Sequence, residues 1–346
     1  MRSKLVFLPG DGVGPEVAEA ARIVLDAVVN KVGLDISVET FAFGGAAIDS
    51  HGTPFPDETK DACLSADAIF LGAVGGPKWD NAPIRPEAGL LAMRKALDVY
   101  ANLRPITVFE GMTGLSPLKP ELAEGVDILI VRELTGGLYF GERIEGNDKA
   151  QDKCEYSRAE VVRVARIAFE AARGRSGKVT SVDKANVLAT SCLWRNAVNE
   201  LHQNEYQDVH LEHMLVDAMA MKLIQCPSAY DVVLTENLFG DILSDEASVL
   251  SGSIGLAPSA SLGDGTRGLY EPIHGSAPDI AGQGKANPVG AILSVAMLLR
   301  HSLEQPEAAQ AIEQAVQQSI KADHGTADIK GSDSTRQFTD RIVELL

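Results

Sequence analysis

Short apolar runs alternate with amphipathic segments along most of this chain, and that pattern predicts an α/β protein. Because strands and helices follow each other in turn, much of the strand pairing should be parallel. Apolar runs of strand length occur at Lys4–Leu8, Ile36–Phe41, Ala68–Val74, Ile128–Val131, Lys178–Val182, Val209–Val216 and Val232–Leu234. Helical patterns occur at Asp57–Leu64, Pro86–Val99, Ser157–Arg173, Leu193–His202, Val289–His301, Pro306–Lys321 and Arg336–Leu346.

The first apolar run is followed by a glycine-rich turn, Gly10-Asp11-Gly12-Val13-Gly14-Pro15. A strand, such a turn and a helix would suggest a Rossmann dinucleotide site. The third glycine of that fingerprint would fall at position 15, where this chain has proline. Proline suits the first turn of a helix, so the sequence predicts a tight βα turn here and not a Rossmann pyrophosphate site.

The segment 138–156 is predicted to form a β-hairpin arm. Leu138–Glu145 and Lys153–Tyr156 flank a polar tip at Gly146–Asp152. Directly after it, Ser157 and Glu160 have the spacing of a capping box, so a helix should begin there.

The composition is that of an ordinary globular protein, with 45% hydrophobic and 23% charged residues among 346. The net charge of −17 opposes binding to nucleic acids and to anionic membranes. The apolar run Val289–Leu299 is too short to span a bilayer, and Pro9 interrupts the apolar N-terminus too early for a signal peptide. The four scattered cysteines lack zinc-site spacing, as expected of reduced thiols in a cytoplasmic protein.

The segment Thr235–Leu256 carries the clearest candidate chemistry. It follows the apolar run Val232–Leu234, and Asn237 is expected to be the N-cap of a helix. Asp241 and Asp245 are four residues apart, which places both on one helix face. Such a pair of carboxylates suits Mg²⁺ or Mn²⁺. From spacing alone, a solvated helix face with two acids remains the alternative.

The letters around this pair, N-L-F-G-D-I-L-S-D-E-A-S and then G-S-I-G-L, closely resemble the signature of the decarboxylating β-hydroxyacid dehydrogenases. That family includes isocitrate, 3-isopropylmalate, homoisocitrate and tartrate dehydrogenases. The resemblance covers nearly the whole chain and implies two interleaved domains around a mixed, largely parallel sheet that is not a Rossmann fold. Residues 1–99 plus 252–346 would bind the cofactor, and residues 100–251 would form the dimerisation and catalytic domain.

The resemblance also implies roles for residues around the acid pair. Asp241 and Asp245 would hold the metal ion, with Asp217 as a third carboxylate. Lys184 would take the proton of the substrate hydroxyl, and Tyr139 would protonate the enol. The segments R-x-A-L-D-x-Y-A-N-L-R-P and V-R-E-L-T-G-G-L-Y-F-G match substrate-binding segments of the family. The malate-like part of a 2-hydroxy diacid would accordingly be bound by Arg94, Arg104 and Arg132, with Asp217 beside it.

A second segment, Leu269–Asn287, resembles the adenosine-binding loop of the family through the match E-P-x-H-G-S-A-P-D-I-A. It lacks periodicity, and a long ordered loop is usually functional. Asp279 beside the adenosine ribose would accept hydrogen bonds from its hydroxyls and repel a 2′-phosphate, which favours NAD over NADP. The cofactor-binding residues implied are His274, Gly275, Ser276, Ala277, Asp279, Ile280 and Asn287.

Within the family, Glu87-Ala88-Gly89-Leu90-Leu91 is the discriminating segment. An isocitrate enzyme needs polar groups there, whereas Leu90 and Leu91 offer an apolar surface to which Val187 would add. The segment therefore favours a branched alkyl substrate, 3-isopropylmalate, and a step in leucine biosynthesis. Tartrate/malate and homoisocitrate dehydrogenases are the alternatives within the family. A non-redox metal-dependent lyase and a non-catalytic acidic binding protein are the alternatives outside it.

The family's arm clasps a second subunit, so the resemblance implies a homodimer. The residues that match Lys184 and Asp217 enter the neighbouring subunit's site in that family. We therefore expect active sites that are shared between two copies of this chain.

Overall fold

Strands and helices alternate along the chain in the computed structural model, which describes residues 2–346. The strands are β1 (Ser3–Gly10), β2 (Ile36–Thr40), β3 (Ala68–Ala73), β4 (Ala101–Thr107), β5 (Asp127–Glu133), β6 (Arg143–Ile144), β7 (Gln151–Asp152), β8 (Lys178–Asp183), β9 (His210–Leu215), β10 (Val232–Thr235), β11 (Pro258–Leu262) and β12 (Gly268–Pro272). The helices are α1 (Gly14–Val32), α2 (Gly44–His51), α3 (Asp57–Ser65), α4 (Pro86–Leu97), α5 (Pro120–Ala123), α6 (Arg158–Arg173), α7 (Ala189–Glu205), α8 (Val216–Gln225), α9 (Asn237–Ser248), α10 (Val289–His301), α11 (Pro306–Lys321) and α12 (Thr335–Glu344). The predicted α/β class is confirmed.

The chain forms two compact units, and each is built from separate stretches of sequence. The first unit contains the residues up to Val99, together with Phe109–Gly111 and Ser253–Leu346. The second unit contains Tyr100–Val108 and Met112–Gly252. The predicted segments differ from these units at Gly252, which lies in the second unit, and at residues 109–111, which lie in the first.

The first unit has a mixed sheet with the strand order β2-β1-β3-β12-β11. β1 is parallel to β2 and β3, β12 is parallel to β3, and only β11 runs antiparallel to its neighbour β12. Residues Val289–Leu299 of α10 are all buried against α1, α11 and these strands, because the helix is apolar on every face. The predicted helix at Val289–His301 is thus confirmed.

The second unit has the strand order β4-β5-β10-β8-β9. β5, β10, β8 and β9 are parallel, and β4 is antiparallel to β5. The carboxyl ends of the four parallel strands therefore meet at one edge, where ligands bind in sheets of this kind. The core on one side of the sheet includes Ile128, Ile130, Val233, Leu243 and Met219.

Three sequence expectations need correction. The block from Leu269 is not loop throughout, because its first residues form β12, which pairs with β3 and β11. The ladder of the arm, β6 with β7, is short, with two residues on each side, because turn hydrogen bonds from Phe140 and Gly141 to the Gly137 carbonyl precede it. Beyond the ladder, the Lys153 N–H donates to the Glu142 carbonyl at 2.9 Å. Helix α2 was not expected, since it begins with two glycines.

The buried side chain of Asp11 explains why α2 forms. Its carboxylate accepts hydrogen bonds from the backbone N–H groups of Gly45 and Ala46, each at 2.8 Å, and from that of Gly75 at 2.9 Å. Asp11 belongs to the turn after β1, far along the chain from α2, so a local pattern could not reveal this cap. Burial raises the pKa of Asp11, although the three N–H donors oppose that rise.

No helix among residues 2–346 has both the length and the apolar character that a bilayer span requires.

Candidate active site

Helix α9 carries the acid pair and begins directly after β10. Glu236 is its N-cap, because the Glu236 Oε1 atom accepts a hydrogen bond from the Phe239 N–H at 2.8 Å. The expectation that Asn237 would be the cap is therefore wrong. Burial raises the pKa of Glu236, whose other oxygen accepts a hydrogen bond from the Tyr156 hydroxyl at 3.1 Å.

Asn237 instead binds the guanidinium of Arg132, which is fully buried near the carboxyl end of β5. The Asn237 Oδ1 atom accepts from Arg132 Nη2 at 2.8 Å and from Nε at 3.3 Å. The third nitrogen, Nη1, lies 2.5 Å from Asp241 Oδ1. Gly240 makes this approach possible, since a Cβ there would lie 2.7 Å from Arg132 Cγ.

Arg104, on the neighbouring strand β4, contacts the other acid. Its Nη1 atom lies 3.0 Å from Asp245 Oδ1 and donates to Ser244 Oγ at 2.7 Å, while Nε donates to Asn102 Oδ1 at 2.7 Å. The Nη2 atom lies 3.7 Å from Asp241 Oδ1. Two buried arginines thus face two carboxylates that share one face of α9.

Tyr139 lies at the same face, and its hydroxyl donates to Asp241 Oδ2 at 2.9 Å. Its ring packs on the Arg132 guanidinium, at 5.8 Å from the ring centroid. Burial and the nearby Asp241 carboxylate raise the pKa of Tyr139. The phenol is therefore protonated at neutral pH, as a proton donor must be.

The donor set of Asp241 and Asp245 fits a hard divalent cation. Oxygens of two carboxylates project from one helix face, and Asp245 remains 61% exposed and accessible. Burial, and then the neighbouring Asp241 carboxylate, raise the pKa of Asp245, although Arg104 opposes that rise, and a cation between the two carboxylates would relieve their mutual repulsion. Among residues 2–346, no three His, Cys, Asp or Glu side chains are arranged to hold a metal ion. Asp217 of the same chain therefore does not complete this pair.

Asp217 is placed elsewhere, beside Lys184. The Lys184 Nζ atom lies 2.6 Å from Asp217 Oδ1, and this hydrogen bond lowers the pKa of Asp217. Lys184 directly follows β8, and Asp217 lies in the first turn of α8, directly after β9. Val187, in the same loop as Lys184, has a side chain that is 71% exposed.

In the first unit, Arg94 and the segment before it lie on α4. The buried Arg94 guanidinium forms an ion pair with Glu271 of β12, with Nη2 2.8 Å from Oε1. Its Nε atom is buried and has no hydrogen-bond partner among residues 2–346. Leu90, one helical turn earlier, is half-buried and packs against the core of this unit. Leu91 is also half-buried. Glu87, near the start of α4, is exposed.

The predicted nucleotide loop also lies in the first unit. Burial lowers the pKa of His274, whose Nδ1 atom lies 2.9 Å from the Gly275 carbonyl. Its Nε2 atom is buried and meets no hydrogen-bond partner within the described part of the chain. Asn287 is buried and donates to Asp328 Oδ2 at 2.9 Å. Asp279 is exposed, Ile280 is half-buried, and Ala277 has a left-handed backbone with φ of 35°. The Asp279 carboxylate is therefore accessible to a bound nucleotide, whereas the His274 ring is buried.

Several residues that hold this arrangement escaped the sequence reasoning. Asn102, Ser244 and Asn237 position arginines, and Glu271 neutralises one. No local signal identifies them, because each meets its partner only through tertiary packing.

Comparison with known proteins agrees with this architecture. The family model described as Isocitrate/isopropylmalate dehydrogenase matches residues 4–342. A 3-isopropylmalate dehydrogenase of Streptococcus thermophilus is 55% identical over 346 residues and covers 100% of both chains. A 3-isopropylmalate dehydrogenase of Deinococcus radiodurans is 56% identical over 350 residues, which is 99% of this chain and 97% of that protein.

Among solved structures, isocitrate dehydrogenase from Methylococcus capsulatus matches with a TM-score of 0.89 and 36% identity, over 99% of each chain. A match that runs almost from end to end, with relatives that share more than half of their residues, means that this chain belongs to the isocitrate/isopropylmalate dehydrogenase family.

Proposed function

We propose that this protein oxidatively decarboxylates 3-isopropylmalate to 4-methyl-2-oxopentanoate with reduction of NAD⁺, a step of leucine biosynthesis. The full-length identity of 55–56% to proteins named 3-isopropylmalate dehydrogenase carries this proposal. The chain is a decarboxylating dehydrogenase by family.

The substrate side chain is the point on which members of the family differ. Leu90 and Leu91 on α4 present alkyl groups, and neither can satisfy a third carboxylate. A charged group left against them would lose its hydration without gaining a hydrogen bond. This supports a branched alkyl substrate over isocitrate, in line with the lower identity, 36%, to the isocitrate dehydrogenase.

The arginines would bind the substrate carboxylates, and the acid pair would bind the metal ion. Arg94, Arg104 and Arg132 are buried cations whose N–H groups suit the two carboxylates of the substrate. When bound, a divalent cation on Asp241 and Asp245 supplies charge stabilisation, and NAD⁺ supplies the hydride acceptor. Asn237 and Asn102 keep the arginines directed at the substrate instead of at solvent.

Two residues would move protons. Lys184, as its neutral amine, would take the proton from the substrate hydroxyl, and the ammonium group that results would be stabilised by Asp217, whose Oδ1 atom lies 2.6 Å from Nζ. After CO₂ leaves, Tyr139 would return a proton to carbon. The raised pKa of its hydroxyl keeps that proton available at neutral pH.

NAD is the proposed cofactor, bound by the loop from His274 to Asn287. The exposed carboxylate of Asp279 would accept hydrogen bonds from the adenosine ribose and would repel a 2′-phosphate. The buried His274 imidazole, neutral because burial lowers its pKa, suits contact with an uncharged adenine.

We also propose a cytoplasmic homodimer with shared active sites. On α8, Met221 and Ile224 are 57% and 51% exposed, and on the adjacent α9 Ile242 is 59% exposed. Large apolar side chains exposed on two adjacent helices favour a protein interface on this face. Pairing two copies through this face and the arm would bring Lys184 and Asp217 of one copy to the other copy's acid pair. Asp217 would then become the third metal ligand.

One assay tests the proposed activity. NADH absorbance is followed with purified protein, NAD⁺, Mg²⁺ and a panel of 3-isopropylmalate, isocitrate, homoisocitrate, malate and tartrate. We expect the highest kcat/KM with 3-isopropylmalate. A higher value with any other diacid would replace the proposed substrate, and no NADH from any of them would reject dehydrogenase activity.

A further inference from the structure

Both ends of the nucleotide loop attach to the beginning of α1. At the first end, the backbone N–H of Val13 donates to the Ser276 carbonyl at 2.8 Å. Gly12 allows this approach, since a Cβ at that position would lie 1.9 Å from the Ser276 oxygen. The glycine-rich turn, which lacks the Rossmann fingerprint, thus contacts the loop through its backbone.

At the other end, a single carboxylate holds the loop. Glu16 Oε1 accepts a hydrogen bond from the Ala286 N–H at 3.0 Å, and Oε2 accepts one from the Gly284 N–H at 3.2 Å. Thr335, the first residue of α12, places its hydroxyl against the same Glu16 oxygen and 2.6 Å from the Ala286 carbonyl. Glu16 is half-buried in the first turn of α1.

The position of Ala286 controls the next residue, Asn287. The Asn287 side chain accepts from the Val289 N–H at 3.0 Å and donates to Asp328 at 2.9 Å, so its own contacts orient it once the backbone is fixed. Hydrogen bonds from backbone N–H groups to a carboxylate are stronger than those between neutral groups. Glu16 is therefore the strongest of the side-chain contacts that fix residues 284–286.

The loop contains a strained residue that needs such support. Ala277 has φ of 35°, a left-handed conformation that is unfavourable for residues other than glycine. Strain of this kind persists only where the surroundings over-determine the backbone. The contacts at Ser276 and at Ala286 fix the chain on both sides of it.

We propose that Glu16 is a positioning residue for the cofactor, which holds the loop 274–287 in the conformation that binds NAD⁺. That the nucleotide is NAD⁺ rests on the proposed function, whereas the anchoring of the loop by Glu16 does not. Without Glu16 the loop would occupy further conformations. The apparent affinity for NAD⁺ would then fall in proportion to the fraction that stays competent.

The test compares Glu16→Gln and Glu16→Ala with the wild type. Glutamine keeps one acceptor oxygen but places an N–H₂ group opposite one of the two backbone N–H donors. Alanine removes both acceptor oxygens and has a high helix propensity, so α1 should remain helical. The control is Glu313→Gln, which breaks the Arg300–Glu313 ion pair between α10 and α11 in the same unit. It separates loss of anchoring from a general loss of stability.

Three measurements are made on the full-length protein. They are hydrogen–deuterium exchange of the amides in residues 274–287, NAD⁺ binding by calorimetry without substrate, and steady-state KM values for NAD⁺ and for 3-isopropylmalate. We expect faster exchange at Gly284 and Ala286, and roughly tenfold weaker NAD⁺ binding with a matching rise in its KM. The KM for 3-isopropylmalate and kcat at saturating NAD⁺ should change less than twofold, and Glu313→Gln should match the wild type in all of these.

Two results would overturn the proposal. Unchanged exchange in both Glu16 variants would mean that the carboxylate does not anchor the loop. Faster exchange with unchanged NAD⁺ affinity would mean that the loop does not hold the cofactor. If the wild type oxidises no diacid, the proposed function fails, while exchange and calorimetry still decide the role of Glu16.

Discussion

Asn237 and Arg132 form a fixed pair in which one amide oxygen accepts two hydrogen bonds from the guanidinium, at 2.8 and 3.3 Å. The amide cannot turn away, because its Nδ2 atom donates to the Gly136 carbonyl at 3.1 Å. The Asn237 N–H also donates to the Tyr156 hydroxyl at 3.0 Å. The direction in which Arg132 presents Nη1 is therefore set by α9 and not by the strand that carries it.

Asn237→Ala should consequently lower kcat/KM for 3-isopropylmalate. Hydrogen bonds to charged groups contribute about 1.5–3 kcal/mol, so we expect a loss of roughly 10- to 100-fold. Asn237→Asp retains the acceptor oxygen and should keep more activity than the alanine variant. Steady-state kinetics of both, with circular dichroism to verify folding, checks this. Equal activity in Asn237→Ala and wild type would show that Arg132 needs no such support.

Asp245→Asn should preserve the fold and raise the Mg²⁺ concentration required for half-maximal activity by at least tenfold. The reason is the loss of one anionic ligand from the pair on α9. Glu246→Gln, on the same helix but turned away from the pair, is the matched control and should leave the Mg²⁺ titration unchanged. A metal titration of Asp245→Asn that coincides with the wild type would remove this site from the mechanism.

Mixing inactive Lys184→Ala chains with inactive Arg94→Ala chains should restore activity, since a heterodimer would contain one intact shared site. Random exchange would give about a quarter of the wild-type activity. Native mass spectrometry should establish that subunits have exchanged. If heterodimers form and activity stays at zero, each active site is built from one chain.

Asp279→Lys combined with Ile280→Tyr should shift preference from NAD⁺ towards NADP⁺. A like-charge contact with a 2′-phosphate costs several kcal/mol when it is partly desolvated, on the order of a hundredfold or more in affinity. The KM for 3-isopropylmalate should change little. The ratio of kcat/KM for the two cofactors is the measurement, and a wild type that uses both equally well would contradict the role of Asp279.

Acid should destabilise the protein through His301, at the end of α10. Burial, and then the neighbouring charge of Arg300, lower the pKa of His301 to about 4. The unfolded chain, with an ordinary histidine pKa of about 6.5, takes up a proton between these values that the folded chain does not, so stability falls as pH decreases from about 6.5 towards 4. Urea unfolding at pH 7 and pH 5 measures the free energy of unfolding that each protein loses on acidification. We expect the wild type to lose about 1–2 kcal/mol more than His301→Asn. Parallel losses in both proteins would contradict it.

The sequence pattern predicted helices well where apolar residues are continuous, as in α10, or periodic, as in α11, and the bounds of both helices are those expected. The acid pair on α9 could also be predicted from the sequence, because the spacing of Asp241 and Asp245 alone places them on one helix face. Helix α2 was not, because its cap is Asp11, which acts through tertiary packing.

The partners of the arginines also could not be predicted from local sequence patterns. Arg94 meets Glu271 across 177 residues of sequence, and Arg104 meets Ser244 across 140. Spacing rules describe neighbours on one element, whereas these contacts depend on how strands are ordered in a sheet. Asn237 was misjudged for the same reason, since Arg132 competes with the helix terminus for its side chain.

Because the first unit is built from both ends of the chain, it cannot fold completely until translation is nearly finished. Strand β3 is complete early, but its neighbour β12 and the buried helix α10 are synthesised only after the whole second unit. At the usual rate of translation, the roughly 190 residues between β3 and β12 take on the order of 10 to 40 s. During that time the apolar face of β1–β3 is exposed on the ribosome while the second unit can already fold. The nascent first unit is thus the part of this protein that most needs a chaperone.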